Sequence, residues 1–326
     1  MGAPPTRVNA LRAPRVVGLD EIRRAINLPA LLTDIERAFV EYSSGRAVVA
    51  PVGHLAFRDP PGDLHLKYGY IDGGDMAVVK LATGVPSNAA LGLPTGDGLM
   101  IVVDRRTGLV RAILLDRAYL TDLRTAAAGA IAAKHLAPSR LRTIGMLGAG
   151  VQARMQLELL SSVSDCRVVM LWNRTRMRAE EYAREMRAMG YEVTIAPHAD
   201  TVAKSCELIV TTTAARGPLF DADCVRPSTH ITAVGADAPG KQELDPRLFA
   251  RADIVVADSV SQCADHGDLA HALSTRDITL DRVYELGRVI SGDAPKRVGA
   301  DQITIADLTG VAVQDIAIAA HVCTRI

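Results

Sequence analysis

The stretch "TIGMLGAGVQA", Thr143 to Ala153, constrains the fold of this chain more than any other. An apolar run leads into Gly148-x-Gly150-x-x-Ala153, and a helical pattern, "VQARMQLELLSSV", follows without a gap. The first glycine of such a unit permits a tight turn, and the second leaves no side chain where backbone must approach a pyrophosphate. The small third residue lets helix and strand pack closely, and phosphates then sit on the free N–H groups at the helix start. Gly148, Ala149, Gly150, Val151 and Gln152 are therefore candidate cofactor-binding residues. The alternation continues through "RVVMLWN", helix "RAEEYAREMRAMG", "EVTIAP", a helix around Thr201 to Lys204, "ELIVTTT", "THITAVGAD" and "DIVVADS". Five or six short apolar strands, most of them in a β–α repeat, predict a doubly wound parallel sheet.

Upstream the period changes. After a leader, "GLDEIRRAINLPALLTDIERAFVEYSSG" reads as a short helix, a break at Pro29 and a second helix with Leu32, Ile35, Phe39 and Tyr42 on one face. From Val48 to Leu115, "LHLKYGYI", "MAVVKLAT", "GLMIVVD" and "VRAILLD" alternate with period two between turn signals, as in a mostly antiparallel sheet. "LTDLRTAAAGAIAAKHL" then gives an Ala-rich helix stopped by Pro138. The last stretch, "ITIADLTGVAVQDIAIAAHV", is a strand, a Thr-Gly turn and an Ala-rich helix outside the preceding alternation. A chain of 326 residues suits two domains. The expected organisation is α/β: a Rossmann-type doubly wound sheet at 126–302, inserted in an α+β substrate-binding and dimerisation domain. That domain comprises 15–125 and is closed by the returning segment 303–326.

Lys+Arg and Asp+Glu both number 37, so the net charge is zero and nothing favours nucleic acid or an anionic membrane. No apolar run reaches the ~18 residues of a membrane helix, and no signal peptide opens the sequence. Met1 to Thr6 fits the myristoylation pattern formally, but its proline pair reads better as a disordered leader. The five cysteines are scattered without C-x-x-C spacing, and the histidines form no H-E-x-x-H, so no metal site is expected. The default compartment is the cytoplasm.

Two strand ends carry the chemistry. After "RVVMLW" come Asn173, Arg174, Thr175 and Arg176, where an NAD site expects a carboxylate for the ribose 2′-OH. A guanidinium suits a 2′-phosphate instead, so NADP(H) is preferred, with NAD(H) possible. In "ITAVGADAPGKQELDP" a β-branched run ends at Gly235 and meets Asp237, then Lys241. Ligands bind outside the carboxyl ends of such strands, which puts Asp237 and Lys241 where a ligand would lie.

Five stretches together resemble the ornithine cyclodeaminase/μ-crystallin family over nearly the full chain. They are "MAVVKLATGVPSNAALGLPTGDGLM", "YLTDLRTAAAGAIAAKHLAP", "GMLGAGVQA", "TAVGADAPGKQELDP" and "ITIADLTGVAVQD". The resemblance implies a homodimer joined through the antiparallel sheet. It also implies hydride transfer at the α-carbon of an amino acid/imino acid pair, with Asp237 exchanging the proton at nitrogen. For Asp237 to donate at neutral pH, burial would have to raise its pKa. Lys80 and Arg124 correspond to substrate-carboxylate ligands, Lys80 also counting as catalytic and Arg124 as touching cofactor. Thr95 and Thr309 match positions lining the nicotinamide and substrate pocket, and Thr213 and Val234 match cofactor-contacting loops.

Two departures bear on the substrate. Gly53-His54 stands where many members carry an arginine, with Arg58 only later, and His65 stands where cyclodeaminases tend to be acidic. His65 and Lys67 are expected to reshape the pocket for another substrate tail. The expected function is therefore an NAD(P)H-dependent imine reductase or amino-acid dehydrogenase. The alternatives are a cyclodeaminase working through bound NAD+ and an NADPH-dependent small-molecule binder of the μ-crystallin kind.

Overall fold

The computed structural model describes residues 13–326; the Met1–Thr6 leader lies outside them. The amino-terminal part runs β1 (Arg15–Gly18), α1 (Leu19–Ala25), α2 (Leu28–Ser43), β2 (Ala47–Val49), β3 (Gly53–Arg58), β4 (Pro61–Ile71), β5 (Met76–Gly84), β6 (Gly96–Asp104), β7 (Val110–Leu115) and α3 (Tyr119–Leu136). The alternating part runs β8 (Ile144–Leu147), α4 (Val151–Leu160), β9 (Val168–Trp172), α5 (Arg176–Ala188), β10 (Glu192–Ile195), α6 (Ala199–Ser205), β11 (Leu208–Thr211), β12 (His230–Ala233), α7 (Arg247–Arg251) and β13 (Ile254–Ala257). It continues with α8 (Val260–His266), α9 (Asp268–Thr275), β14 (Val283–Glu285), α10 (Leu286–Ser291), β15 (Thr304–Asp307) and α11 (Ala312–Cys323).

The expected break between two helices is present, at Ile26 and Asn27, and Pro29 itself occupies the first turn of α2, behind an Asn27 side chain that accepts from the Ala30 N–H. Proline is at home there, because that turn has no intrahelical acceptor for its missing N–H. Leu31, Ile35, Ala38 and Phe39 form the fully buried face of α2, while Leu32 and Tyr42 pack at its margin.

Among the described residues the first sheet follows the order β1-β7-β6-β5-β4-β2, with β3 also on β4, and is antiparallel except for the β1–β7 pair. The second sheet is wholly parallel, in the order β10-β9-β8-β11-β12-β15-β13-β14. The expected doubly wound sheet is present with more strands than the sequence reading counted. The expected return of 303–326 to the first domain holds only for its helix. β15 is buried at every position and pairs with β12 and β13, at the heart of the parallel sheet, whereas α11 packs on α2, α3, β4 and β5. The reason is local: "TIAD" is a short β-branched run that needs strands on both sides, and "AVQDIAIAAHV" needs a core all round. One hydrophobic cluster accordingly joins α2, α3 and α11 to Val256, Ala306 and Leu308.

The polarity of the first sheet is inverted relative to an ordinary half-solvated sheet. Asp63, His65 and Lys67 of β4 and Lys80 of β5 share the face turned toward α11, by the two-residue alternation and the Lys67–Lys80 pairing. Leu55, Leu64, Leu66, Tyr68 and Leu81 share the opposite face, with Leu55 and Tyr68 exposed. That inversion places charge inside the molecule and apolar surface outside.

Candidate active site

A cleft of about 510 Å3 lies where the polar face of β4 and β5 meets the loops after β11 and β12. Asp63, His65, Lys67, Lys80, Thr121, Arg124, Asp237 and Lys241 line it. Brought together are thus Asp237 with the expected anion ligands Lys80 and Arg124, and with His65 and Lys67. Arg58 is exposed at the end of β3 and is not part of the lining.

The floor of the cleft is a buried charge network that pattern reading did not anticipate. Asp315, from α11, lies between Lys80 (Nζ to Oδ2, 3.2 Å) and Arg124 (Nε to Oδ1, 3.1 Å). The Arg124 fork also donates to Gln314 Oε1 at 2.9 Å. Burial alone would raise the Asp315 pKa, but Lys80, Arg124 and Lys67 outweigh it and hold the carboxyl below its ordinary range. The cations feel the reverse. Burial brings Lys80 down to about 7 against the pull of Asp315, with Arg124 and Lys67 adding to the fall. Against Lys67, Lys80 and Arg124 stand buried Asp315 and Asp258, a balance that can accept a further small anion. The signal was present in "VAVQDIAIAAH", where two adjacent polar residues interrupt an otherwise apolar helix.

Lys67 lines the cleft and also ties down a turn behind it. Its Nζ donates to the carbonyls of Thr309 (3.2 Å) and Gly310, while Asp258 accepts from the N–H groups of the same two residues. The turn between β15 and α11 is thereby clamped from both sides. Gly310 has φ +82°, and a Cβ there would stand 2.4 Å from an Arg124 guanidinium nitrogen, so only glycine fits. The Thr309 hydroxyl is taken up by Gln262 and Asp258, and Thr309 does not line the cleft. Its carbonyl, through Lys67, ties the turn to the floor of the cleft. Thr95 also stays outside: it is exposed, with its carbonyl accepting from Val85 N–H.

Asp237 is half-exposed on the cleft wall opposite the cations, and Lys241 Nζ donates to its Oδ1. Loss of solvent in the cleft pushes its pKa up, but Lys241 outweighs this, helped by Lys67 and His65, and the carboxyl lies below its ordinary range. The expectation of a raised pKa is therefore corrected: the four-residue spacing in "DAPGK" supplies an ion pair that keeps Asp237 ionised. The loop holding it is fixed by Glu243, which accepts from Thr211 Oγ1 (2.6 Å), Thr213 N–H (2.5 Å) and Gly235 N–H (2.8 Å). Thr213 and buried Val234 sit at these two strand ends.

The nucleotide turn has the geometry its sequence implies. Gly148 has φ +117°, and a Cβ there would meet Thr212 Oγ1 at 2.5 Å, so turn and packing both demand glycine. Gly150 is different: its φ is ordinary and a Cβ would meet nothing within 4 Å. The fold does not require a glycine there, whereas a pyrophosphate laid against the backbone does. No side chain caps α4, which leaves its first N–H groups for phosphate oxygens. Ala153 is fully buried, and Val151 is exposed at the start of α4. The Gln152 Nε2 donates to Asp122, to both its carbonyl and its carboxylate. Past β9, Asn173 bonds the Thr175 carbonyl, Arg176 pairs with Glu180, and Arg174 is exposed without an ion pair among the described residues. The switch point of the sheet, between β8 and β11, lies beside this turn.

The family model described as the ornithine cyclodeaminase/mu-crystallin family matches residues 14–326. The chain belongs to this family. Among related members, an uncharacterized cyclodeaminase of Sinorhizobium fredii is 40% identical over 287 residues, covering 87% of each chain. The alanine dehydrogenase of Archaeoglobus fulgidus is 36% identical over 301 residues, covering 92% of this chain and 91% of its own. Two solved members superpose closely. An archaeal alanine dehydrogenase dimer with bound NAD gives a TM-score of 0.88 at 34% identity, covering 96% and 95% of the two chains. The iminosuccinate reductase of Paracoccus denitrificans in complex with NAD+ gives 0.86 at 33% identity, covering 96% of each. In this chain the cleft lies between the parallel sheet and the first sheet.

Proposed function

We propose that this family member is an NAD(P)-dependent oxidoreductase of an amino acid/imino acid pair. The observation that carries the reading is the placement of ionised Asp237 across one cleft from Lys80 and Arg124, beside a nucleotide turn whose Gly150 the fold itself does not need. A nicotinamide dinucleotide, when bound, donates or accepts the hydride at the substrate α-carbon. Lys80 and Arg124 hold the substrate carboxylate, with Asp315 and Gln314 fixing the two cations. In reduction the substrate nitrogen arrives as an iminium, and the Asp237 carboxylate favours that cation; hydride addition then gives a neutral amine without a proton from the protein. In oxidation the same carboxylate takes the proton from the ammonium before hydride leaves. The ionised form of Asp237 is the one from which both directions start.

NADP(H) is preferred in this reading, supported by Arg174 and the lack of a carboxylate at the end of β9. A homodimer is supported by the apolar outer face of β3–β5, a surface that in water calls for a cover. A reducing cytoplasmic setting is supported by five free cysteines. Among the described residues no helix is long and apolar enough to cross a membrane.

The test is a screen at the nicotinamide absorbance band, with amino acids plus NAD(P)+ in one direction and 2-keto acids plus amines with NAD(P)H in the other. Stoichiometric conversion of nucleotide with one substrate pair supports the proposal. Ammonia release from a diamino acid without net nucleotide change would replace it with a cyclodeaminase. Ligand binding without turnover in either direction would place the chain with the small-molecule binders.

A further inference from the structure

His54, Asp63 and His65 stand together at the outer end of the cleft, and none of the chemistry above uses His54 or Asp63. His54 and His65 are directly opposed on β3 and β4, with ring centroids 4.8 Å apart. Asp63 is two residues along β4 on the same face, its Oδ2 3.3 Å from His65 Nε2. One donor atom from each residue falls within 4.8 Å of the other two. We propose that these three side chains form a binding site for one divalent transition-metal ion.

Cross-strand neighbours place their Cβ atoms about 4.5–5.5 Å apart, a separation from which two imidazoles can converge on one ion. Tetrahedral ligands at about 2.0–2.1 Å from zinc lie roughly 3.3 Å from one another. The Asp63–His65 pair already has that spacing, and exposed His54 can turn inward to close the wider gap. Gly84, paired with Asp63 across β5, gives the carboxylate room: a Cβ there would stand 2.9 Å from Asp63 Oδ1. Two imidazoles and one carboxylate select Zn2+, Co2+, Ni2+ or Cu2+ over Mg2+ and Ca2+, which prefer all-oxygen shells. Because Asp63 and His65 line the cleft, the remaining coordination positions face its interior. Reading along the sequence passes over this site because two strands supply it; no spacing within one segment reveals it.

The inference does not depend on the hydride chemistry. Its test is titration of the purified full chain with Co2+, followed by the visible d–d absorption of the bound ion and by equilibrium dialysis. The parent is expected to bind one Co2+ per chain, displaced by Zn2+ and not by Mg2+. The absorption should lack the thiolate charge-transfer band that the free cysteines would produce. His54→Ala and His65→Gln should each weaken binding by at least the roughly 10–100-fold that even an outer-shell partner is worth. Dinucleotide affinity of both variants should match the parent, because the Gly148–Ala153 turn is untouched; this serves as the check that they fold. Absence of Co2+ binding at millimolar concentration in the parent would overturn the proposal. So would full binding by a folded double variant, which would move the ion to other ligands.

Discussion

The nucleotide side of the cleft is made almost entirely of backbone, whereas the substrate side is made of ionised side chains that hold one another in place. On the first side, Gly148 makes the tight turn, Gly150 presents open space, and the uncapped start of α4 presents free N–H groups. On the second, Lys67, Lys80, Arg124 and Asp315 converge from β4, β5, α3 and α11, and Asp258 and Gln314 hold them from behind. The first arrangement tolerates side-chain change but not bulk. The second tolerates neither the loss of a charge nor a shift of the turn that carries it. That difference suits a site in which one ligand is common to many chemistries and the other is specific.

The sharpest way to break the comparison is to remove the anion from the charged wall. Asp315→Ala leaves three buried cations without their carboxylate and should cost about 3–5 kcal/mol of stability, the usual loss when one partner of a buried pair is deleted. Urea unfolding of parent and variant measures it; a change under 1 kcal/mol would mean that solvent already reaches the network.

The backbone side answers to bulk alone. Gly150→Ala should leave the free energy of unfolding within about 1 kcal/mol of the parent, since its φ and surroundings accept a methyl group. Dinucleotide affinity should nevertheless fall by about 1–3 kcal/mol, the cost of hydrogen bonds held out of reach. Equal losses of stability and affinity would show that the turn is as interlocked as the charged wall.

A third contrast lies in pH. Lys80, brought to about 7 by burial, is a cation below that value and neutral above it. Binding of a 2-hydroxy acid, an analogue without a titrating nitrogen, should therefore weaken as pH rises through 7, by up to about tenfold per unit. Lys80→Arg should flatten the profile. A flat profile in the parent would mean that Arg124 alone carries the carboxylate. The smallest effect is expected at Arg174, on the nucleotide side: as the loss of an exposed charge, Arg174→Ala should weaken NADP(H) by about 0.2–1 kcal/mol and leave NAD(H) unchanged.

The same division explains what could be read from the sequence. A backbone site is contiguous, so "GMLGAGVQA" displays its turn, its open position and its packing residue within one motif. Period-two alternation likewise shows that Lys67 and Lys80 sit in strands. It does not show that their face is the inner one, because Leu55 and Tyr68 look like core residues until the sheet is assembled. Asp315 and Lys80 are separated by most of the chain, and only the Gln314-Asp315 interruption of an apolar helix hints at their meeting. β15 was misplaced for a related reason: a four-residue strand carries no label for the sheet it joins, and its position between β12 and β13 is a tertiary fact. At Asp237 the resemblance pointed to the residue, but its charge state depended on Lys241 folding back across the Pro239-Gly240 turn.

Replacement of that residue tests the central claim most directly. Asp237→Asn keeps the shape of the side chain and removes its charge and its capacity to take a proton. With the substrate pair found by the screen, kcat in the oxidation direction should fall by about 10²–10⁴, the usual contribution of acid–base catalysis. Dinucleotide affinity measured by fluorescence titration should stay at the parental value. A variant with parental kcat would contradict the account, and Asp237 would then be only the loop partner of Lys241.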